Sequence, residues 1–160
     1  MRMPTDSRQE KNELLIVRTF AAPRALVFKA WTDMDSMMHW TGPKGFISKG
    51  DKLDVRPGGS HRACLIAPTG EEHWVSGKYI EVLPPHRLVF THAWELPNGK
   101  RSPETVVTVD FTEKDGATEM RFHQAFFESS TSRDGHKGGW TESFERLEQF
   151  LADCNKRDAR

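Results

Sequence analysis

Cysteine, tyrosine and net charge are all scarce in this 160-residue chain. It holds two cysteines, Cys64 and Cys154, far apart and neither in a C-x-x-C pair. That spacing excludes a zinc ribbon or a disulfide framework, and both thiols are expected reduced and buried. Its 23 Lys+Arg balance 23 Asp+Glu, with a pI near 7.1. The concentrated basic face needed to neutralise phosphates is therefore missing, which excludes nucleic acid as the natural partner. The strongly apolar runs, such as Leu14-Leu15-Ile16-Val17, fall far short of the roughly 18 residues that span a bilayer. Residues 1–12 carry no apolar signal core either. A cytoplasmic protein without a membrane span is expected, and the length fits one domain. In contrast to the single tyrosine, ten Phe and five Trp are present. So many rings without hydroxyls call for a thick apolar core or an apolar cavity.

Residues 1–12 are polar and aperiodic, a loose arm, and order is expected over residues 13–155 with a polar tail over 156–160. The β-branched and apolar residues from Glu13 to Phe20 predict a first strand. Ala21-Ala22-Pro23 follows, with proline where a first helical turn accepts it. Val27, Ala30 and Trp31 then recur at helical spacing, and Asp33 is placed to cap a second short helix that carries Met34, Met37 and Met38 toward Trp40. From Phe46 to Phe127 short alternating runs are separated by turn residues, which predicts about six antiparallel strands. The tightest turns are expected at Asn98-Gly99 and Asp115-Gly116. Leu88/Phe90/His92/Trp94, Val107/Val109/Phe111 and Met120/Phe122/Gln124/Phe126 would each share an inward face. After a polar stretch over residues 128–139, Trp140, Phe144, Leu147, Leu151 and Cys154 form one stripe of a helix about four turns long.

A strand, two short helices, a meander and a long amphipathic helix make an α+β fold. On this order and its spaced motifs the chain resembles the START-like, Bet v 1-like helix-grip superfamily. Within it, the chain is similar to bacterial proteins related to the C-terminal domain of the Hsp90 ATPase activator. The matching segments are Arg18-Thr19-Phe20-Ala21-Ala22-Pro23, Val27-Phe28-Lys29-Ala30-Trp31-Thr32, Trp40-x-x-Pro43-x-Gly45-Phe46 and Asp54-Val55-Arg56-Pro57-Gly58-Gly59. They continue through Gly77-Lys78-Tyr79-Ile80-Glu81, Pro84-Pro85-His86-Arg87-Leu88-Val89-Phe90-Thr91 and Asp134-Gly135-His136-x-x-Gly139-Trp140. The resemblance implies a curved antiparallel sheet of six or seven strands wrapped on the C-terminal helix. It also implies a cavity between them, used across the superfamily for lipids, sterols, polyketides and other apolar molecules.

The side chains expected to line that cavity are Phe46, Trp74, Phe90, Trp94, Phe122, Phe126, Trp140 and Phe144, with Val107 and Val109 on the inward face of a neighbouring strand. His61, His92 and Gln124 are the polar groups on the same faces, able to orient a ligand carbonyl or hydroxyl. The alternative is that the rings fill a solid core and neighbouring backbone satisfies the polar groups. Arg18 and Arg56 can reach a ligand carboxylate, but a structural pair is favoured, for Arg56 with Asp51, Asp54 or Glu81. The Met34, Met37 and Met38 patch fits core packing better than a compliant lid. None of the seven histidines makes an H-x-H or H-x-x-x-H pair, and Glu71-Glu72-His73 has the look of a charged surface cluster, so neither a metal nor another cofactor is expected. No nucleophile stands beside a base at a recognised spacing. The leading expectation is a binder of a small hydrophobic ligand. An interaction protein for a chaperone or other partner, acting alone or as a homodimer, is the first alternative. A cyclase-, hydrolase- or dehydratase-type enzyme using His61, His92 or Gln124 in the cavity is the second.

Overall fold

The structure, a computed structural model, describes residues 12–158. Almost all of the expected arm lies outside the described residues. The elements are β1 (Leu14–Phe20), α1 (Arg24–Thr32), α2 (Met34–Trp40), β2 (Ile47–Leu53), β3 (Ser60–Ile66), β4 (Glu72–Leu83), β5 (Arg87–Glu95), β6 (Thr105–Lys114), β7 (Ala117–Ala125) and α3 (Ser130–Asp158). The seven strands form one antiparallel sheet in the order β1-β7-β6-β5-β4-β3-β2. After β1 the two short helices carry the chain to the far edge, and the meander walks back until β7 pairs with β1. This is the α+β helix-grip fold.

Local chemistry explains the boundaries. The Asp33 carboxylate accepts hydrogen bonds from the Ser36 backbone N–H (3.1 Å) and hydroxyl (2.8 Å), capping α2 and holding Asp33 below the usual carboxylate range. Asp115 and Gly116, both at positive φ, form the two-residue turn between Lys114 and Ala117. Asn98-Gly99 also turns, but inside a longer connection whose one bridge joins Glu95 to Arg101.

The long helix departs from expectation. It begins ten residues before Trp140 and runs to Asp158, three beyond the expected boundary at 155. The Ser129 hydroxyl accepts from the Ser132 N–H at 3.0 Å and starts it. Gly135, Gly138 and Gly139 hid this first half, because each costs about 1 kcal/mol of helix propensity relative to alanine. An added Cβ would meet nothing within 4 Å at Gly135 or Gly138, while Gly139 lies against Pro43.

The sheet is filled unevenly. Over β1, β6 and β7 the inward Phe20, Val107, Val109, Phe111, Met120 and Phe122 are buried against Val27, Phe28 and Trp31 of α1 and Phe144, Leu147 and Leu151 of α3. Trp40 closes this core and donates its indole N–H to the Ala30 carbonyl (2.9 Å). Over β2 to β5 the sheet curls, with register shifts at Gly50/Lys52 and Tyr79/Glu81. There the helices stand off and leave a hollow. No helix among the described residues is long and apolar enough to cross a membrane.

Candidate functional site

The hollow is a cavity of about 480 Å³, open at one side, within the size range of small-molecule sites. Its walls are the first half of α3, the methionine-bearing α2 with the loop after it, and the concave faces of β2 to β5. Aromatic and thioether groups dominate: Trp31, Phe46, Phe90, Trp94, Trp140, Met34, Met37 and Met38. Trp31 sits where core and cavity meet, with its ring centroid 6.0 Å from Trp140 and 6.3 Å from Phe90. Arg146 fixes the rim, its guanidinium donating to the carbonyls of Thr41, Gly42 and Pro43 at 2.9 to 3.2 Å.

Polar groups enter this lining from three strands and one helix. His61 on β3 donates from Nε2 to the Thr91 carbonyl (2.8 Å). A carbonyl oxygen can only accept, so Nε2 carries the proton and Nδ1 is left as a bare acceptor. His136 on α3 is fully engaged: Nδ1 donates to the Ser132 carbonyl (2.7 Å), and Nε2 accepts the Trp94 indole N–H (3.0 Å). His92 on β5 is buried between them, its ring 5.9 Å from that of His136. Burial pushes all three imidazoles toward the neutral form, opposed in each by a backbone hydrogen bond. His92 is held lowest, down to about 3, by burial first and then by its neighbours His136 and His61. Burial also raises Tyr79 on β4, which keeps its hydroxyl proton.

The neutral His92 makes stability fall in acid. Unfolded histidine titrates near 6.5, so below that pH the unfolded chain binds a proton that the folded chain refuses. Between pH 6.5 and 5.5 this costs about 1 kcal/mol. His61 and His136 add in the same direction. Denaturant melts across this range in the parent and in His92→Phe should show a shallower slope in the variant, and equal slopes would remove His92 as the cause.

Of the residues expected at the site, Phe46, His61, Phe90, His92, Trp94 and Trp140 line the cavity. Phe122, Phe144, Val107 and Val109 are fully buried in the solid core behind it. Gln124 is buried too. Its amide donates to the Thr105 hydroxyl (2.8 Å) and accepts from the Trp140 indole (2.8 Å), so it supports a cavity wall without reaching the space. Two placements are corrected. Phe126 is 67% exposed, because β7 ends at Ala125 and Phe126 adopts φ 73°, which turns it outward and buries Phe127 instead. Trp74 lies on the outer face beneath the Arg62 guanidinium, 3.9 Å from the ring, with Arg62 held by Glu95.

The opposite parity of β4, His73, Val75, Gly77 and Tyr79, is the one that faces inward, so His73 reaches the cavity while still meeting the exposed Glu71 carboxylate at 3.7 Å, as the charged surface cluster requires. Only Tyr79 of this set has the size of an aromatic, and the ring at Trp74 masked the alternation. The three methionines line the mouth and are not sealed in the core. Arg18 and Arg56 meet Glu148 and Asp54, the structural pairings. Among the described residues no cluster of side chains is arranged to hold a metal ion.

Similar shapes occur in several solved bacterial proteins. One from Arthrobacter aurescens is 21% identical, covering 92% of this chain and 90% of its own, with a TM-score of 0.83. One from Chromobacterium violaceum is 22% identical over 88% and 96% of the two chains, with a TM-score of 0.81. The AHSA1 protein from Silicibacter pomeroyi is 26% identical over 88% and 97%, with a TM-score of 0.80. No curated protein matches the sequence. The family model described as "Activator of Hsp90 ATPase homolog 1-like protein" matches residues 21–152, and on that match the chain belongs to this family.

Proposed function

We propose that the chain binds a small hydrophobic molecule in the cavity between the curled half of the sheet and the first half of α3. The observation that carries this reading is the uneven filling of the fold: about 480 Å³ is left open and lined with rings and thioethers, while the other half of the same sheet is packed solid. Contact with such a lining contributes about 25 cal/mol per Å² of apolar ligand surface removed from water. The methionines at the mouth are flexible enough to fit around ligands of varied outline.

The histidines support binding over acid–base catalysis. A general base works best with a pKa near the operating pH. His92, down near 3, is too weak a base for that role at neutral pH, and His136 has both ring nitrogens engaged. A neutral imidazole in an apolar wall serves as a fixed hydrogen-bonding group.

The test is native mass spectrometry of protein purified without detergent, with solvent extraction of any adduct, followed by titration with a neutral solvatochromic dye. A stoichiometric apolar adduct, or saturable one-to-one dye uptake displaced by the extract, is the expected result. A clean mass together with no dye uptake would overturn the reading.

A further inference from the structure

Most polar side chains around the cavity already have partners within the protein. The Ser143 hydroxyl bonds the Gly139 carbonyl and the Gly42 N–H, and the Thr41 hydroxyl bonds Met37 and Ser48. The Trp94 indole is held by His136 and the Trp140 indole by Gln124. The guanidinium groups nearby are engaged as well. Arg62 is bound to Glu95 and Asp51, Arg101 bonds Glu104 and the Ser76 carbonyl, and Lys52 stands on the exposed rim.

Left over are the Trp31 indole N–H, which is buried without a partner where core and cavity meet, and a group of side chains that sits together at one end. The His61 ring lies 5.7 Å from Tyr79 and 5.4 Å from Phe90, and Tyr79 lies 5.7 Å from Phe90. His92 follows Phe90 two residues along the same strand and on the same face. With Nε2 turned to the Thr91 carbonyl, His61 offers Nδ1 as an acceptor. No other described side chain bonds the Tyr79 hydroxyl or the His92 ring. An acceptor among rings, with the nearby guanidinium groups already paired, suits one kind of guest: a flat molecule that brings its own hydrogen-bond donor and carries no negative charge. A carboxylate placed there would lose its hydration and face the lone pair of Nδ1.

We infer that the His61, Tyr79 and His92 end of the cavity recognises uncharged hydroxylated aromatic molecules and discriminates against aromatic carboxylates of the same size. This rests on the ligand-binding reading above and adds the chemical class.

Three probes of one shape separate the two claims: naphthalene, 2-naphthol and 2-naphthoate, titrated at pH 7.5 against tryptophan fluorescence of the full chain and its His61→Phe and His92→Phe variants. In the parent, 2-naphthol should bind about tenfold tighter than naphthalene, the scale of one net hydrogen bond, and 2-naphthoate should bind weakest. His61→Phe should bring naphthol and naphthalene to within about threefold of each other. His92→Phe should narrow the gap less, since its ring is the deeper of the two. Equal binding of naphthol and naphthalene in the parent, a preference for naphthoate, or an unchanged ratio in His61→Phe would overturn the inference while leaving hydrophobic binding intact. If none of the three binds, the ligand-binding reading falls and this inference with it. Circular dichroism melts of both variants confirm that a lost preference reflects the site and not unfolding.

Discussion

Val109→Trp should destabilise the protein by about 3 kcal/mol, whereas Ala63→Trp should change stability by less than about 1 kcal/mol and eliminate dye uptake. The same indole is introduced at two inward-facing strand positions, and only the space in front of them differs. Val109 is fully buried within the filled half of the fold, paired across strands with Leu88 and Phe122, both themselves fully buried. Added volume there must displace rings already in contact, and overpacking of this kind costs about 1 to 3 kcal/mol, occasionally more. Ala63 is half-buried, pairs with Val75, and opens on the cavity. Its cross-strand partner Gly50 lies under the Met34 thioether, and that side chain has three rotatable bonds with which to yield. Urea unfolding of both variants, paired with dye titration, reads the two effects separately. If Ala63→Trp costs as much as Val109→Trp, the hollow closes in solution and the cavity has no functional meaning.

The element order, the capping aspartate, the six-strand meander and the core stripe of α3 were legible in the sequence because each is written in local periodicity. The inward parity of β5, β6 and β7 was legible for the same reason: apolar residues alternate with polar ones until the ladder stops. Two local facts hid the rest. At Phe126 the alternation continues in the sequence while the backbone does not, since a single residue at positive φ ends the strand, and nothing in an apolar pattern marks a φ reversal at phenylalanine. At β4 the strand presents a tryptophan on one parity and a tyrosine on the other. Side-chain size favoured the wrong one, because Trp74 finds its burial under an arginine on the outer face. Which inward residues face open space and which face a neighbour is a property of how far the helices stand from the sheet. Val107, Val109, Phe122 and Phe144 are inward as their pattern demands, yet they touch α1 and α3 instead of the cavity. That distance is set by side chains distant in sequence, and no periodicity encodes it.

Gly77→Ala shows how closely the cavity wall depends on one backbone approach. A Cβ built on Gly77 falls 1.9 Å from the Thr91 carbonyl oxygen, 2.6 Å from its carbon, and 2.7 Å from the His61 Nε2. No rotamer relieves this, because the obstacle is the main chain of the adjacent strand. The substitution must therefore push β4 away from β5 two residues before the register shift at Tyr79/Glu81. It also drives His61 off the carbonyl that fixes its tautomer. The cost should reach about 3 kcal/mol, at the upper end of overpacking changes. Gly58 serves as the control: its position is at φ 83° with open space around it, so Gly58→Ala carries backbone strain alone, of order 1 kcal/mol. Because His61 moves with the strand, any Gly77→Ala protein that still folds should retain naphthalene binding while losing its preference for 2-naphthol. A variant as stable as the parent, with that preference intact, would mean that β4 and β5 are not in the close contact described, and that the tautomer of His61 is set by something other than Thr91.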